Sequence, residues 1–204
     1  MIISHKFKFI FIKTRKTAGT SIEVYLSQVC GNKDVFSPIY PHIEPHVARN
    51  YKGIWNPIPE LIQKRGRNFK PIFKDIVRGN KFRNGHMPAK IIKKRISSNI
   101  WNNYFKFCVE RNPWGKTLSH YHMVNQRVGG DLTLDDYLNK KPLCINYPQY
   151  TDVFGNIMVD QVIKYEYLTE ELATVFEKLS IPFEGSLDVN AKSEYRKDRR
   201  PYQQ

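Results

Sequence analysis

An apolar run at 7–12, interrupted at Lys8, breaks into Lys13-Thr14-Arg15-Lys16-Thr17-Ala18-Gly19-Thr20-Ser21 and is followed by an amphipathic stretch over 22–29. This order predicts a buried strand, a tight loop and a helix. Residues 6–13 alternate Lys-Phe-Lys-Phe before becoming continuously apolar, as a strand does when its carboxyl end is buried in a mostly parallel sheet. Ligands in such sheets lie beyond the carboxyl ends of the strands. The loop there holds one glycine, four hydroxyl side chains and three cations. It opens onto a helix N-terminus, whose N–H groups and partial positive charge attract anions. A nucleotide phosphate is the obvious anion, but the usual ATP loop has two glycines ahead of its lysine. Here Lys16 precedes the single glycine.

A second segment repeats the theme. Residues 104–109 read as another buried strand, with Trp101 joined to it, delivering Arg111-Asn112-Pro113-Trp114 at its end. Arginine is suited to a phosphate through paired, charge-assisted bonds, and Pro113 suits the first turn of a helix. Between the two segments, Asn84-Gly85-His86-Met87-Pro88-Ala89 puts His86 just ahead of a helix expected over 89–95. Imidazole titrates where a general base is useful.

The run Lys16-Thr17-Ala18-Gly19-Thr20-Ser21 resembles the 5′-phosphosulfate loop of sulfotransferases that use 3′-phosphoadenosine 5′-phosphosulfate (PAPS). Arg111-Asn112-Pro113-Trp114 with Ser119-His120-Tyr121 resembles the same family's 3′-phosphate motif. The order and the spacing of about ninety residues also match. The resemblance points to the carbohydrate-type branch and extends to 147–182, including Gln149-Tyr150, where no chemical role is assigned. It implies an α/β, P-loop-like, three-layer α/β/α fold with a mostly parallel central sheet. It also implies transfer of a sulfuryl group to an acceptor hydroxyl, with a carbohydrate as the acceptor class. In that scheme Lys16 neutralises the leaving phosphate oxygen and Thr17, Ala18, Gly19, Thr20 and Ser21 bind the 5′-phosphate. Arg111 and Ser119 bind the 3′-phosphate, His86 is the base, and no metal ion is needed. Glu44 and Glu110 stand as reserve bases, since some relatives use glutamate. Arg15 stands where many relatives have proline and adds a cation. Thr20 and Ser21 are also read as helix N-caps, Lys116 and His120 as solvated, and Glu166 as a structural residue bonding a nearby loop.

The length suits one domain, with residues 35–85 as a cap or substrate-facing insertion and 191–204 as a basic tail. Short helices are expected at 58–63, 71–77 and 133–138, the last capped by Thr133. A third strand is expected over 160–166 and a helix over 168–179. The formal net charge is +14. PAPS carries roughly four negative charges, and a basic cleft would steer it. Eight basic residues between Lys64 and Arg83 fit an anionic substrate or a solvated face equally well. His42 and His46 are four apart, a metal spacing on a helix, but the prolines around them argue against a helix. Met1 to Phe11, interrupted by Lys6 and Lys8, reads as a strand and not a secretory leader. The membrane anchor of the family's Golgi members has no counterpart. Three cysteines at unpaired spacings suggest a reducing compartment, so the expectation is a cytoplasmic protein. Rival readings are a P-loop nucleotide kinase or NTPase, which needs ATP and Mg²⁺, and a non-catalytic basic domain for nucleic acid. The latter has no RNA or DNA module signature. A site reused for binding sulfated sugars is a third.

Overall fold

The computed structural model describes residues 1–64, 69–140 and 143–187. Arg65, Arg67 and the basic tail therefore lie outside the described residues. Within them the chain is mixed α/β, built on one five-stranded sheet of order β3-β1-β2-β4-β5. The strands are β1 (Ile2–Ser4), β2 (Phe9–Ile12), β3 (Val35–Phe36), β4 (Phe105–Glu110) and β5 (Gln161–Lys164). The centre, β2-β4-β5, is parallel, whereas β1 runs antiparallel to both β2 and β3.

That edge corrects the expected strand at 6–13. Lys6 and Lys8 stand in the turn between β1 and β2, and Lys8 is left-handed at φ 53°. Buried Asp34 holds the turn by accepting from the His5 and Lys6 N–H groups at 2.7 and 3.1 Å and from Ser4 Oγ at 2.7 Å. A three-residue strand leaves too little pattern to see, and Lys-Phe-Lys-Phe in a turn imitates strand alternation. Trp101 is likewise not in the second strand but in a short helix, α5 (Ser98–Asn103). The third strand is shorter than expected and ends in a tight turn at Tyr165–Tyr167.

Both faces of the sheet are covered, which is why Phe9–Ile12 is continuously apolar. Phe9, Phe11, Phe107, Val109 and Ile163 meet Ile22 and Leu26 of α1 (Gly19–Val29) and Leu172, Val175 and Phe176 of α9 (Leu168–Lys178). Ile10, Ile12 and Cys108 point the other way, toward Ala89 and Ile92 of α4 (Ala89–Arg95), Trp101, and Tyr150 of the one-turn α8 (Tyr147–Tyr150). Burying each Ile, Leu, Val or Phe side chain among them contributes about 1.5–3 kcal/mol.

The expected helices at 58–63, 71–77 and 133–138 appear as α2 (Ile58–Lys64), α3 (Lys70–Val77) and α7 (Leu134–Lys140), the last with Thr133 Oγ1 accepting from the Asp136 N–H. The remaining helix, α6 (Pro113–Arg127), starts on Asn112, whose side chain accepts from the Trp114 N–H at 3.0 Å. Buried Arg95 on α4 gathers α2 and α3. Its fork meets both oxygens of buried Glu60 at 2.7 and 2.9 Å, and Asp75 lies at 3.2 Å. Arg95 also donates to Lys81 O at 2.9 Å and stacks 4.2 Å from the Trp55 ring. No helix among the described residues is long and apolar enough to cross a membrane.

Candidate functional site

The loop leaves the carboxyl end of β2 and is shaped by its own side chains. Buried Lys13 runs across Gly19 to reach buried Glu23 of α1 at 2.5 Å. A Cβ at position 19 would lie 2.8 Å from Lys13 Cγ, inside van der Waals contact. Gly19 is therefore present for close approach. Lys16 and Ala18 are both left-handed, with φ 62° and 56°. This costs about 1–2 kcal/mol for each residue with a Cβ. Such strain concentrates where a loop must present its backbone, and alternating turns of this kind form anion-binding concavities. Between them, Thr17 is buried and its hydroxyl turns inward, 2.8 Å from Thr14 Oγ1, which in turn donates to Val109 O. The Thr17 side chain therefore braces the loop against β4. Thr20 and Ser21 lie within the first turn of α1. The cap position is Ala18, with no side-chain cap bond, so the expectation of N-capping by Thr20 or Ser21 is not met.

The second segment arrives beside the first because β2 and β4 are neighbouring parallel strands, with Ile12 opposite Cys108. Arg111 Nη1 donates to Lys16 O at 3.4 Å, and the guanidinium lies 4.2 Å from the Tyr165 ring. It also lies over Gly115, where a Cβ would be 3.3 Å from Arg111 Nε. Ser119 is one helical turn beyond Gly115 on α6, so it shares that face. The structure thus brings together Lys16, Arg111 and the helix face bearing Ser119.

Beneath them sits a hub that the sequence did not reveal. Glu110 accepts from the Arg111 N–H at 2.8 Å, Lys116 Nζ at 2.7 Å, Asn146 Nδ2 at 3.2 Å and Tyr150 OH at 3.3 Å. Fully buried Asn146 also clamps the loop, accepting from the Arg15 N–H and donating to the Arg15 carbonyl, both at 2.9 Å. It thereby stiffens the loop at Arg15. Asn146 carries no motif, and only the folded chain places it here. Glu110, a reserve base, is committed to these partners. Lys116 is buried and His120 half-buried, its Nδ1 at 2.7 Å from Tyr137 OH; neither is solvated as expected. Burial lowers the His120 pKa, with the charges of Lys16 and Arg15 adding to it. Glu166 accepts from the Asn112 N–H at 2.8 Å, the structural bond expected of it.

His86 lies at the same end of β2, with Nδ1 at 3.1 Å from Lys13 O. A carbonyl only accepts, so Nδ1 carries the proton and Nε2 keeps its lone pair. Burial, reinforced by the Lys13 cation, pushes the pKa down to about 4. A neutral imidazole with a fixed tautomer is what proton abstraction requires. The other reserve base, Glu44, is solvent-exposed. His42 is exposed, whereas His46 is buried edge-on to Phe36, in a segment without helix, so the two do not share one face. Among the described residues no three His, Cys, Asp or Glu side chains gather to hold a metal.

No protein-family model matches the chain, and no solved structure matches it. It is 34% identical over 119 residues to an uncharacterized protein of the archaeon Archaeoglobus fulgidus, an alignment spanning 54% of this chain and 98% of that protein. With that identity over nearly the whole of the archaeal protein, the chain belongs to the same family as this uncharacterized Archaeoglobus fulgidus protein.

Proposed function

We propose that the chain is a PAPS-dependent sulfotransferase acting on an acceptor hydroxyl, with a carbohydrate as the acceptor class. The observation that carries the reading is the meeting of two basic segments at one end of the sheet, with Arg111 on the Lys16 carbonyl and His86 on the carbonyl of Lys13. A sheet covered on both faces, with a strand–loop–helix at its centre, supports a P-loop-like, three-layer arrangement.

The residues fit such a donor. The left-handed turns at Lys16 and Ala18, opening onto α1, form a concavity for the 5′-phosphate. Arg111, with Ser119 on the adjoining helix face, supplies the groups for the 3′-phosphate. When bound, PAPS supplies an electrophilic sulfur joined to a good leaving phosphate. His86 Nε2 takes the acceptor's proton as the acceptor oxygen bonds to sulfur. Lys16 neutralises the phosphate oxygen that receives the electron pair of the breaking S–O bond, a charge that grows in the transition state. Lysine and loop N–H groups carry this charge, so the scheme needs no metal.

The 3′-phosphate assignment has its own test. Wild type is expected to bind 3′-phosphoadenosine 5′-phosphate more tightly than AMP. Arg111→Ala is expected to lose about ten- to a hundredfold of that preference, from the roughly 1.5–3 kcal/mol of a charge-assisted contact. Calorimetry with both nucleotides reads the ratio, and an unchanged ratio in Arg111→Ala removes Arg111 from the site.

A further inference from the structure

The helices α2 and α3 are built inside out. From the N-cap of α3 onward, Phe69, Phe73, Ile76 and Val77 follow the i, i+4, i+7, i+8 spacing of one helix face, which would ordinarily turn to the core. Instead Phe73 is 68% and Val77 76% exposed, and Ile72 is the apolar residue of this helix that is buried. On α2, Ile58 and Ile62 form a similar i, i+4 pair, and Ile62 is 71% exposed. The cause is the charge cluster at Arg95. Glu60, two residues from each isoleucine, is pulled inward by a paired contact with Arg95. Asp75 is drawn to the same guanidinium, between Ile72 and the outward residues. Rotating α2 to bury its apolar stripe would break the buried Glu60–Arg95 pair, at a cost of several kcal/mol, and rotating α3 would pull the half-buried Asp75 from the same guanidinium.

The charge of this stretch of sequence is one-sided. Between residues 51 and 95 the sequence has thirteen lysines and arginines and two acids, Glu60 and Asp75. Both acids are turned onto Arg95. On α3, Lys70, Lys74 and Arg78 recur every four residues along the flank of the apolar stripe, all exposed. An aliphatic and aromatic stripe with a basic flank is the pattern of surfaces that lie in a lipid headgroup region. A nucleic acid would use the cations but gain little from Ile58, Ile62 and Val77.

We propose that the outward face of α2 and α3 docks onto an anionic lipid bilayer. The proposal is independent of the sulfotransferase reading and goes beyond it. The test sediments the full chain with vesicles of phosphatidylcholine alone and of phosphatidylcholine mixed with phosphatidylglycerol. Binding is expected to the mixed vesicles and to be weak with the neutral ones. Phe73→Ser with Val77→Ser, which leaves the charge unchanged, is expected to lower partitioning about tenfold or more. Lys70→Gln with Lys74→Gln is expected to lower it roughly thirtyfold, from about fivefold per lysine. These side chains are exposed, so both variants should keep the wild-type thermal unfolding followed by circular dichroism. Absence of binding to the mixed vesicles overturns the proposal. So does binding that the Phe73/Val77 variant leaves intact, and if an RNA homopolymer then displaces the protein from the vesicles, the face belongs to nucleic acid.

Discussion

His86→Gln is expected to lower kcat for sulfuryl transfer by about 10²–10⁴-fold, the usual contribution of a positioned general base. Binding of 3′-phosphoadenosine 5′-phosphate should stay within about twofold of wild type. The separation follows from the geometry. His86 hangs on the carbonyl of Lys13, whereas the proposed anion site is the loop from Lys16 to Gly19, braced by Thr14, Thr17 and Asn146. The pH profile adds a second readout. The base works when neutral, and in the free protein it becomes protonated only near pH 4. Hence kcat/KM should stay level down to about pH 5, where an ordinary histidine would already be mostly protonated. The limb in kcat should lie at higher pH, because the donor's negative charges favour imidazolium. His46, buried with neither ring nitrogen hydrogen-bonded among the described residues, is also lowered to about 4 by burial. Both histidines bind protons more readily when unfolded. The stability these two histidines contribute is therefore full above about pH 6.5 and declines as pH falls from there toward 4, and rates must be compared with ellipticity at each pH. Full turnover in His86→Gln would remove the base from the mechanism.

Arg95→Met is expected to destabilise the protein by about 3–5 kcal/mol, because it leaves the Glu60 carboxylate buried without its cation. The loss also frees Asp75, the carbonyl of Lys81 and the face of Trp55. Adding Glu60→Gln to Arg95→Met should restore part of the stability, since a neutral amide oxygen still accepts from Trp55 Nε1, now at 2.9 Å from the carboxylate. Urea midpoints of the two variants give the comparison. A loss below about 1 kcal/mol in Arg95→Met would mean that α2 and α3 are held by something other than this cluster.

Elements that bury a regular stripe were legible in the chain. The helix over 168–179 declared itself because burial on one face writes a period into the sequence, and the strand leading to Arg111 because burial on both faces leaves a mostly apolar run. The loop 13–21 was legible as a strand-to-helix connection because a buried apolar run stops at Lys13 and an amphipathic run starts after Gly19. The hairpin at 1–12 was not, since β1 has three residues and the turn copies strand alternation. Nor was the Arg95 cluster, whose partners lie 14 to 40 positions away in sequence; nothing local marks Glu60 as buried. Asn146 was hidden for the same reason. It reaches Arg15 across 131 positions and looks like any loop asparagine. Thr17 shows a different limit: the residue stands in the loop as expected, but its hydroxyl faces inward. Residue type locates a backbone site more readily than it orients a side chain.

The most direct measurement is a calorimetric titration of the wild-type chain with 3′-phosphoadenosine 5′-phosphate in the presence of a chelator, set beside AMP and ATP with Mg²⁺. The account predicts metal-free binding of 3′-phosphoadenosine 5′-phosphate, at least tenfold tighter than AMP, with no gain for ATP from Mg²⁺. Equal affinity for AMP, or binding of ATP alone and only with Mg²⁺, would contradict it and leave the loop at Lys16 as the phosphate site of a kinase or NTPase.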